Sequence, residues 1–488
     1  MAVNQAHQVI WRRVIPVFFA VIGVAGAAIG ASAQMANPSS ATNPFYGSVT
    51  LQPASSKLLK LSLAAAIRRG LENNLGLREA EYNQKALQGE KNIALQQFLP
   101  TITFTASTGF FQHDLAAEGF SSDLASKFGA LFHSKGPVNF PLITRDDLTQ
   151  EQIHYTQTLF SGPVIAGWKA AGAAERVAYY ARMSAEGDVV QEVAIAYLRS
   201  IAAASNVKDA RALVGEDQVA LDHAVAAHAA GTVPKLDVLR ARVELQARQQ
   251  VLIAAESDLE KDRILLKREI GIAPGQQIEL TDRTPYSKLA MDTPAQVLTV
   301  AYANRQDYQN LKNQVAEDKA VHAAYRSERL PSLSVNSYYA VSTVNGAGTH
   351  GNFAVFGTLH LPIFREARLR GDIDAAQAQL NATYAQLANL RTEIDQQVRD
   401  ALLDVRATSK LVDVARSNVK LAQLTLQDET ERVNAGVDDN LPLVVAQAAL
   451  ASAQSNLVES LYQYNVAKLE LARAAGVIES QYRAYLGR

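Results

Sequence analysis

Residues 372–435 read DIDAAQAQLNATYAQLANLRTEIDQQVRDALLDVRATSKLVDVARSNVKLAQLTLQDETERVNA, 64 positions without a proline or a glycine. Leu387, Leu390, Ile394, Val398, Leu402 and Val405 recur at helical spacing, so the stretch is predicted to be one helix. At about 1.5 Å per residue it makes a rod of about 100 Å. That is too long for a compact domain, whose helices run about 8 to 20 residues, and for one bilayer crossing of about 30 Å. Gly436, in the run Ala435-Gly-Val-Asp-Asp-Asn-Leu-Pro442, supplies the left-handed residue that closes a helix. A second unbroken helix is predicted from Leu443 to Ala475, ending at Gly476. The unit is a very long helical hairpin with a tight tip.

The hairpin occurs twice. Upstream, a helical stretch reaches Ala230-Gly231, turns through Thr-Val-Pro-Lys-Leu-Asp237 and runs back to Gly271, and 436 − 231 and 476 − 271 both equal 205. Ala64, Asn73, Leu99 and Pro100 are matched by Ala295, Asn304, Leu330 and Pro331 at a constant offset of 231. The chain is therefore two copies of one pattern: helix, Leu-Pro, strand, loop, strand, long helical hairpin. The first copy occupies 61–271, with a β-hairpin at 101–160 and a helical tip near 231–237. The second occupies 293–476, with a β-hairpin at 332–364 and a tip near 436–442. Residues 34–60 read as an extended tether, 272–292 as a linker and 477–488 as a C-terminal tail.

Between the helices the period changes. Leu61 to Phe98 is predicted helical, and then Ile102, Phe104, Ala106, Thr108 and Phe110 alternate with Thr101, Thr103, Thr105, Ser107 and Gly109. Ile153, Tyr155 and Leu159 form the apolar side of the return strand. A loop of roughly 40 residues, Gln112 to Gln152, is expected between them, far longer than an ordinary hairpin turn. In the second copy Leu333, Val335, Tyr339 and Val341 pair with Phe353, Val355 and Leu359. Strands of about 9 to 11 residues match a tilted bilayer crossing. Short alternating strands also build soluble sandwiches, but two hairpins leave little material for one.

The chain has 488 residues, 48% hydrophobic and 19% charged, with a net charge of −1, so nothing biases it toward nucleic acid. It has no cysteine, which excludes disulfides, thiolate metal sites and thiol catalysis. Arg12-Arg13, an apolar run from Val14 to Gly30 and Ala31-Ser32-Ala33 read as a cleavable signal peptide over 1–33, with an uncleaved anchor helix as the alternative. An exported chain of this composition meets a membrane again only with strands. Four strands cannot close, since single-chain barrels begin at about eight and an open edge in lipid leaves backbone groups unsatisfied. Several chains must share one barrel.

In this arrangement the chain resembles the TolC family of outer-membrane efflux proteins over nearly the whole mature sequence. The resemblance rests on the duplication, on Tyr155-Thr-Gln-Thr-Leu-Phe-Ser-Gly162 leading from strand to helix, and on Leu-Pro before each outgoing strand. It rests also on Gly231 through Asp237 followed by Leu239, Ala241, Leu245 and Ala247, and on Gly436 through Leu443 with Ala446-Gln447, Leu450, Ala453-Gln454 and Leu457. It implies a mainly α fold with membrane β: a homotrimer whose long hairpins form a helical barrel in the periplasm and whose four strands per chain build a 12-stranded β-barrel in outer-membrane lipid. The implied partners are a periplasmic adaptor, or membrane fusion protein, and an inner-membrane pump of RND, ABC or MFS type. The implied role is the exit duct for drugs, metals or proteins. Carried over by position, the docking tips are Gly231, Thr232, Val233, Gly436, Val437 and Asp438. Asp237 stands at a family aspartate site, while Pro442 departs from the pattern in the second copy, with Asp438 and Asp439 nearby. Asp237, Asp438 and Asp439 are thus either an acidic gate or helix caps and a solvated turn.

Other signals are weaker. Gly346-Ala-Gly348-Thr-His-Gly351 has dinucleotide-motif spacing but is followed by a strand, and His223 and His228 are five apart on a helix, the wrong spacing for one metal. No catalytic, cofactor-binding or metal site is expected. A periplasmic coiled-coil scaffold or adaptor explains the rods alone, and an enzyme explains none of these features.

Overall fold

The computed structural model describes residues 43–49, 53–117, 143–282, 284–290, 292–344, 348–435 and 440–487. The signal-peptide segment 1–33 lies outside them, as do Gly436, Val437, Asp438 and Asp439.

Each copy opens with two helices, α1 (Leu63–Asn73) and α2 (Leu75–Gln96) in the first, and α5 (Pro294–Asn304) and α6 (Gln306–Ser327) in the second. They have equal lengths, 11 and 22 residues, at the sequence offset of 231. The single helix expected over 61–98 is broken at Asn74, whose extended backbone (ψ 133°) turns its side chain to accept from the Gly76 and Leu77 amides. Arg305 takes the same extended conformation (ψ 123°) at the equivalent position.

The hairpins follow. In the first copy α3 (Gly162–Ala229) runs 68 residues and α4 (Lys235–Glu269) 35. In the second, α7 (Glu366–Asn434) runs 69 and α8 (Asn440–Ala474) 35. Each long helix packs along its own return helix and against α6, and α3 also meets α2 and α8. Two apolar cores lie where the copies join. One gathers Leu63, Ile67, Val189, Val193 and Tyr197 with Leu266 and Ile270. The other gathers Ile394, Val398, Leu402 and Val405 with Tyr464, Leu471 and Tyr308.

The stretches read as tether and linker each supply a short strand to this joint: β1 (Leu59–Leu61) pairs in parallel with β4 (Ile278–Leu280), and Leu61, Ile272 and Ile278 are buried. Three-residue strands are too short for their period to register in a sequence. The C-terminal stretch 477–488 likewise contains α9 (Ile478–Leu486), which buries Ile478, Tyr482 and Leu486 in the first core.

β2 (Thr101–Asp114), β3 (Ile143–Phe160), β5 (Ser332–Val344) and β6 (Gly348–His360) form one antiparallel sheet in the order β2-β3-β5-β6. They run 14, 18, 13 and 13 residues, longer than a bilayer crossing requires. The loop expected from Gln112 to Gln152 is strand at both ends, since β2 reaches Asp114 and β3 begins at Ile143, and its residues 118–142 lie outside the described residues. Its first ten residues, ITRDDLTQEQ, are mostly polar on both faces, so alternation does not mark them, yet they are strand-paired with β2.

Candidate functional site: hairpin tips and strand sheet

At the first tip the chain reverses through a left-handed glycine. Gly231 has φ +75°, its amide donates to the His228 carbonyl at 3.0 Å, and the Thr232 amide donates to Ala227 at 3.0 Å. These two bonds satisfy the last carbonyls of α3 and define a Schellman cap. The Thr232 hydroxyl adds a bond to Ala227 at 2.8 Å, and His228 Nδ1 lies 2.9 Å from the Val233 carbonyl. His228 is thus part of the turn. Val233 is half-buried, and Asp237 sits in the first turn of α4, 3.5 Å from Arg240. An acidic residue is favourable there beside the helix N-terminus.

The second tip is approached in the same way. Ala435 has φ −79° and ψ −4°, against −79° and −3° at Ala230, and both amides return to the carbonyls four and two residues back. Of the sequence-derived tip residues, Gly231, Thr232, Val233 and Asp237 are brought together, while Gly436, Val437, Asp438 and Asp439 fall outside the described residues. The structure adds an apolar stripe beside the first tip: Leu236, Leu239 and Val243 are 53%, 46% and 65% exposed. Their i, i+3, i+7 spacing puts them on one helix face, a signal present in the sequence but read there only through Leu239.

Further from the tip, ion pairs cross the first hairpin: Arg199 to Asp262 at 2.9 Å, Arg211 to Glu256 at 2.6 Å and Arg248 to Asp217 at 3.5 Å. Burial pushes the Asp217 carboxyl up, and Arg248 opposes that shift. In the second hairpin Leu402, Val405 and Tyr464 make apolar contacts at the joint. A crevice of about 300 Å³ at the joint is lined by Arg305, Asp307, Gln397, Asp400, Glu470 and Arg473 among others.

The sheet has two different faces. Register aligns Leu333 with Leu359, Gln157 with Val335 and Gly357, and Ile102 with Tyr155, Ser337 and Val355. The next rows are Phe104, Ile153, Tyr339 and Phe353, then Ala106, Glu151, Val341 and Gly351. From Leu333 to Val341 these rows make a predominantly apolar band, with Ile102, Phe104, Ile153, Tyr339, Val355 and Leu359 exposed and Phe353 at 76%. The band is about 9 residues of strand tall, the length that crosses a bilayer at a tilt. Beyond it the row is Thr108, Thr149, Thr343 and Thr349, with hydroxyl pairs at 3.0 Å (Thr108 and Thr149) and 2.9 Å (Thr343 and Thr349), then exposed Phe110 opposite Asp147, and then the Arg145–Gln112 pair. Glu151 therefore stands at the outer margin of the band, not at its middle. At the other margin Phe160 and Phe364, 204 positions apart, are exposed at the junction of sheet and helix, where aromatic side chains suit a lipid–water interface. Among the described residues no helix is long and apolar enough to cross a membrane, and no cluster of three or more potential metal ligands occurs.

A single open sheet with an apolar outer band, joined to two rods, defines a chain of the outer-membrane channel fold. The family model described as outer membrane efflux protein matches residues 66–271 and 297–477, and the chain belongs to that family. It is 23% identical over 241 residues to nodulation protein T of Rhizobium leguminosarum bv. trifolii, covering 48% of this chain and 52% of that protein. It is 24% identical over 303 residues to the toluene efflux pump outer membrane protein TtgF of Pseudomonas putida, covering 59% of this chain and 60% of that protein. The matched stretch thus spans about half to three-fifths of these relatives. The fold is similar to that of the Campylobacter jejuni CmeC outer membrane channel, with a TM-score of 0.69 at 15% identity, over 85% of this chain and 86% of that one.

Proposed function

We propose that three copies of this chain form the outer-membrane exit duct of a tripartite export system. The observation that carries this reading is the apolar band on a sheet whose edge strands β2 and β6 have no further strand partner among the described residues. Four strands leave two open edges, and edges in lipid must be paired by another copy. Three copies give a 12-stranded barrel, with the six long hairpins continuing it into the periplasm as a helical tunnel. The signal peptide over 1–33 directs export, and the processed chain begins near Gln34. The far ends of β2 and β3 face the outside, because both strand hairpins start and end beside periplasmic helices. The scaffold alternative has no use for a lipid-facing band.

The tips dock a periplasmic adaptor, which joins the duct to an inner-membrane pump, and the chain itself carries no catalysis. Gly231, Thr232 and Val233 with Gly436, Val437 and Asp438 form the docking surface, extended by Leu236 and Leu239. Asp237, with Asp438 and Asp439, is assigned to an acidic gate at the periplasmic mouth. Small-molecule efflux is the favoured cargo class, in keeping with the toluene efflux relative. Replacing Val233 and Val437 with aspartate is expected to abolish adaptor-dependent export without reducing assembled protein in the outer membrane. Unchanged export in that double variant would leave the tips as helix caps only.

A further inference from the structure

The face opposite the apolar band has a composition of its own. Register places Thr103, His154, Tyr338 and Ala354 in one row and Ser107, Gln150, Ser342 and His350 in another. Ser332 and His360 form a third row at the helix end, and His113 opposes Thr144 at the far end. Thus the four histidines of the described strands all stand on the same face, spread along its length. His154 lies level with the middle of the apolar band, His360 at its periplasmic margin, and His350 and His113 beyond its outer margin. The His154 ring is 6.0 Å from that of Tyr338, and the His113 ring stacks 6.3 Å from Phe111. His113, His350 and His360 are exposed and His154 is half-buried.

Fixed charge is scarce on this face. It is otherwise built of Thr, Ser, Gln, Asn and small residues, with Phe111, Leu148, Val344 and Phe356 interspersed. Apart from the histidines, the titratable side chain described on this face is Tyr338. Asp114, Arg145, Asp147 and Glu151 fall on the opposite face. Imidazole is the side chain whose ordinary titration falls between about pH 5 and 8.

We infer that the lining of the duct's barrel is a histidine surface that gains positive charge in mild acid, so that the ion preference of the exit follows external pH. The inference rests on the barrel reading above, since it is closure that turns this face into a lining. With three chains each histidine becomes a ring of three, and a ring of like charge in a narrow passage favours counter-ions and slows co-ions. Acid then favours anionic cargo and retards cationic cargo, with neutral cargo unaffected.

The test is reversal potential across a planar bilayer holding the detergent-purified full-chain assembly under a KCl gradient, at pH 7.5 and pH 5.5. The cation-to-anion permeability ratio is expected to fall about threefold or more in acid, as rings of protonated histidine require. A variant with His113, His154, His350 and His360 all changed to asparagine should lose the fall and match the original at pH 7.5. Changing Asp237, Asp438 and Asp439 to asparagine should leave it in place, which separates the barrel from the tips. If the fourfold variant does not assemble, His154→Asn alone must reduce the fall. A ratio that is the same at both pH values in the unaltered protein, or an undiminished fall in the histidine variants, overturns the inference while leaving the duct intact. Absence of any channel counts instead against the duct itself.

Discussion

The two copies solve one structural problem in two ways. The offset of 205 pairs Val189, Val193 and Tyr197 of α3 with Ile394, Val398 and Leu402 of α7, and all six are buried. Around these matched apolar faces the polar partners diverge: Asn74, Gly76, Glu192 and Glu269 in the first copy occupy the places of Arg305, Asp307, Gln397 and Ala474 in the second. In the second copy the Arg305 guanidinium is a hub. It donates to Asp307 at 2.6 Å, to Gln397 at 2.7 Å and to the Ala474 carbonyl at 3.4 Å. Burial works against the Asp307 carboxylate, but the bond and charge of Arg305 outweigh it and hold that carboxyl below the usual range.

The first copy has no arginine at this place and admits the N-terminal segment instead. Asn74 donates to the Phe45 carbonyl at 2.5 Å, and a side chain at Gly76 would strike the Phe45 ring, its Cβ only 2.6 Å from the ring. Glu192 and Glu269 are left facing one another, with Tyr46 within their field. Burial first, and then Glu192, push the Glu269 carboxyl up to about 8. Duplication has thus retained what makes rods, namely the apolar face and the glycine caps, and has let the polar joint differ.

Joint and tip differ most visibly at their glycines. Gly476 (φ +71°) and Gly231 (φ +75°) have the same backbone, but a Cβ at Gly476 would lie 2.7 Å from the Arg305 amide nitrogen, whereas nothing stands within 4 Å of one at Gly231. Gly476→Ala is expected to cost about 3 kcal/mol or more, from left-handed strain plus a backbone clash, read as a lowered melting temperature.

Glu269→Gln sharpens the contrast through pH. A carboxyl whose folded pKa lies above its unfolded value gives its full stability below the unfolded value, about 4.3, and that stability is lost as pH rises through the folded one. The first joint should therefore weaken from about pH 4.5 to pH 8, by about 1.4 kcal/mol per unit at most. Asp307, held low, works in the other direction, losing its contribution only as pH falls below the ordinary aspartate range. Thermal melts of Glu269→Gln should match the original at pH 4.5 and exceed it at pH 8. Parallel melting curves across that range would mean that Glu269 is not protonated in the folded chain.

The smallest effect belongs to the tip. Gly231→Ala carries only the strain of a left-handed alanine, about 1 kcal/mol, and should assemble normally. A loss comparable to that of Gly476→Ala would show that the tip is as crowded as the joint.

What was legible in the sequence follows the length of each signal. Rods of 68 and 69 residues repeat their apolar period many times over, and their glycine caps recur at a fixed offset. The strands were visible where one face is apolar, at Ile102 to Phe110, and invisible at Ile143 to Gln152, where the residues are mostly polar on both faces. β1, β4 and the break at Asn74 depend on single hydrogen-bonded neighbours, which leave no period behind. Of the tip, the glycine turn was readable from Gly231, but the stripe of Leu236, Leu239 and Val243 emerged only once their exposure was known. The strand histidines were legible singly. Their common face required the register.

The most direct measurement is the mass of the protein extracted from outer membranes, taken by light scattering with bound detergent subtracted. Edges β2 and β6 can be satisfied in lipid only by other copies, and a 12-stranded closure requires three, so the protein mass should be three times that of the processed chain. A monomer in detergent, or a protein recovered in the soluble fraction without any detergent, would contradict the shared barrel and with it the exit duct.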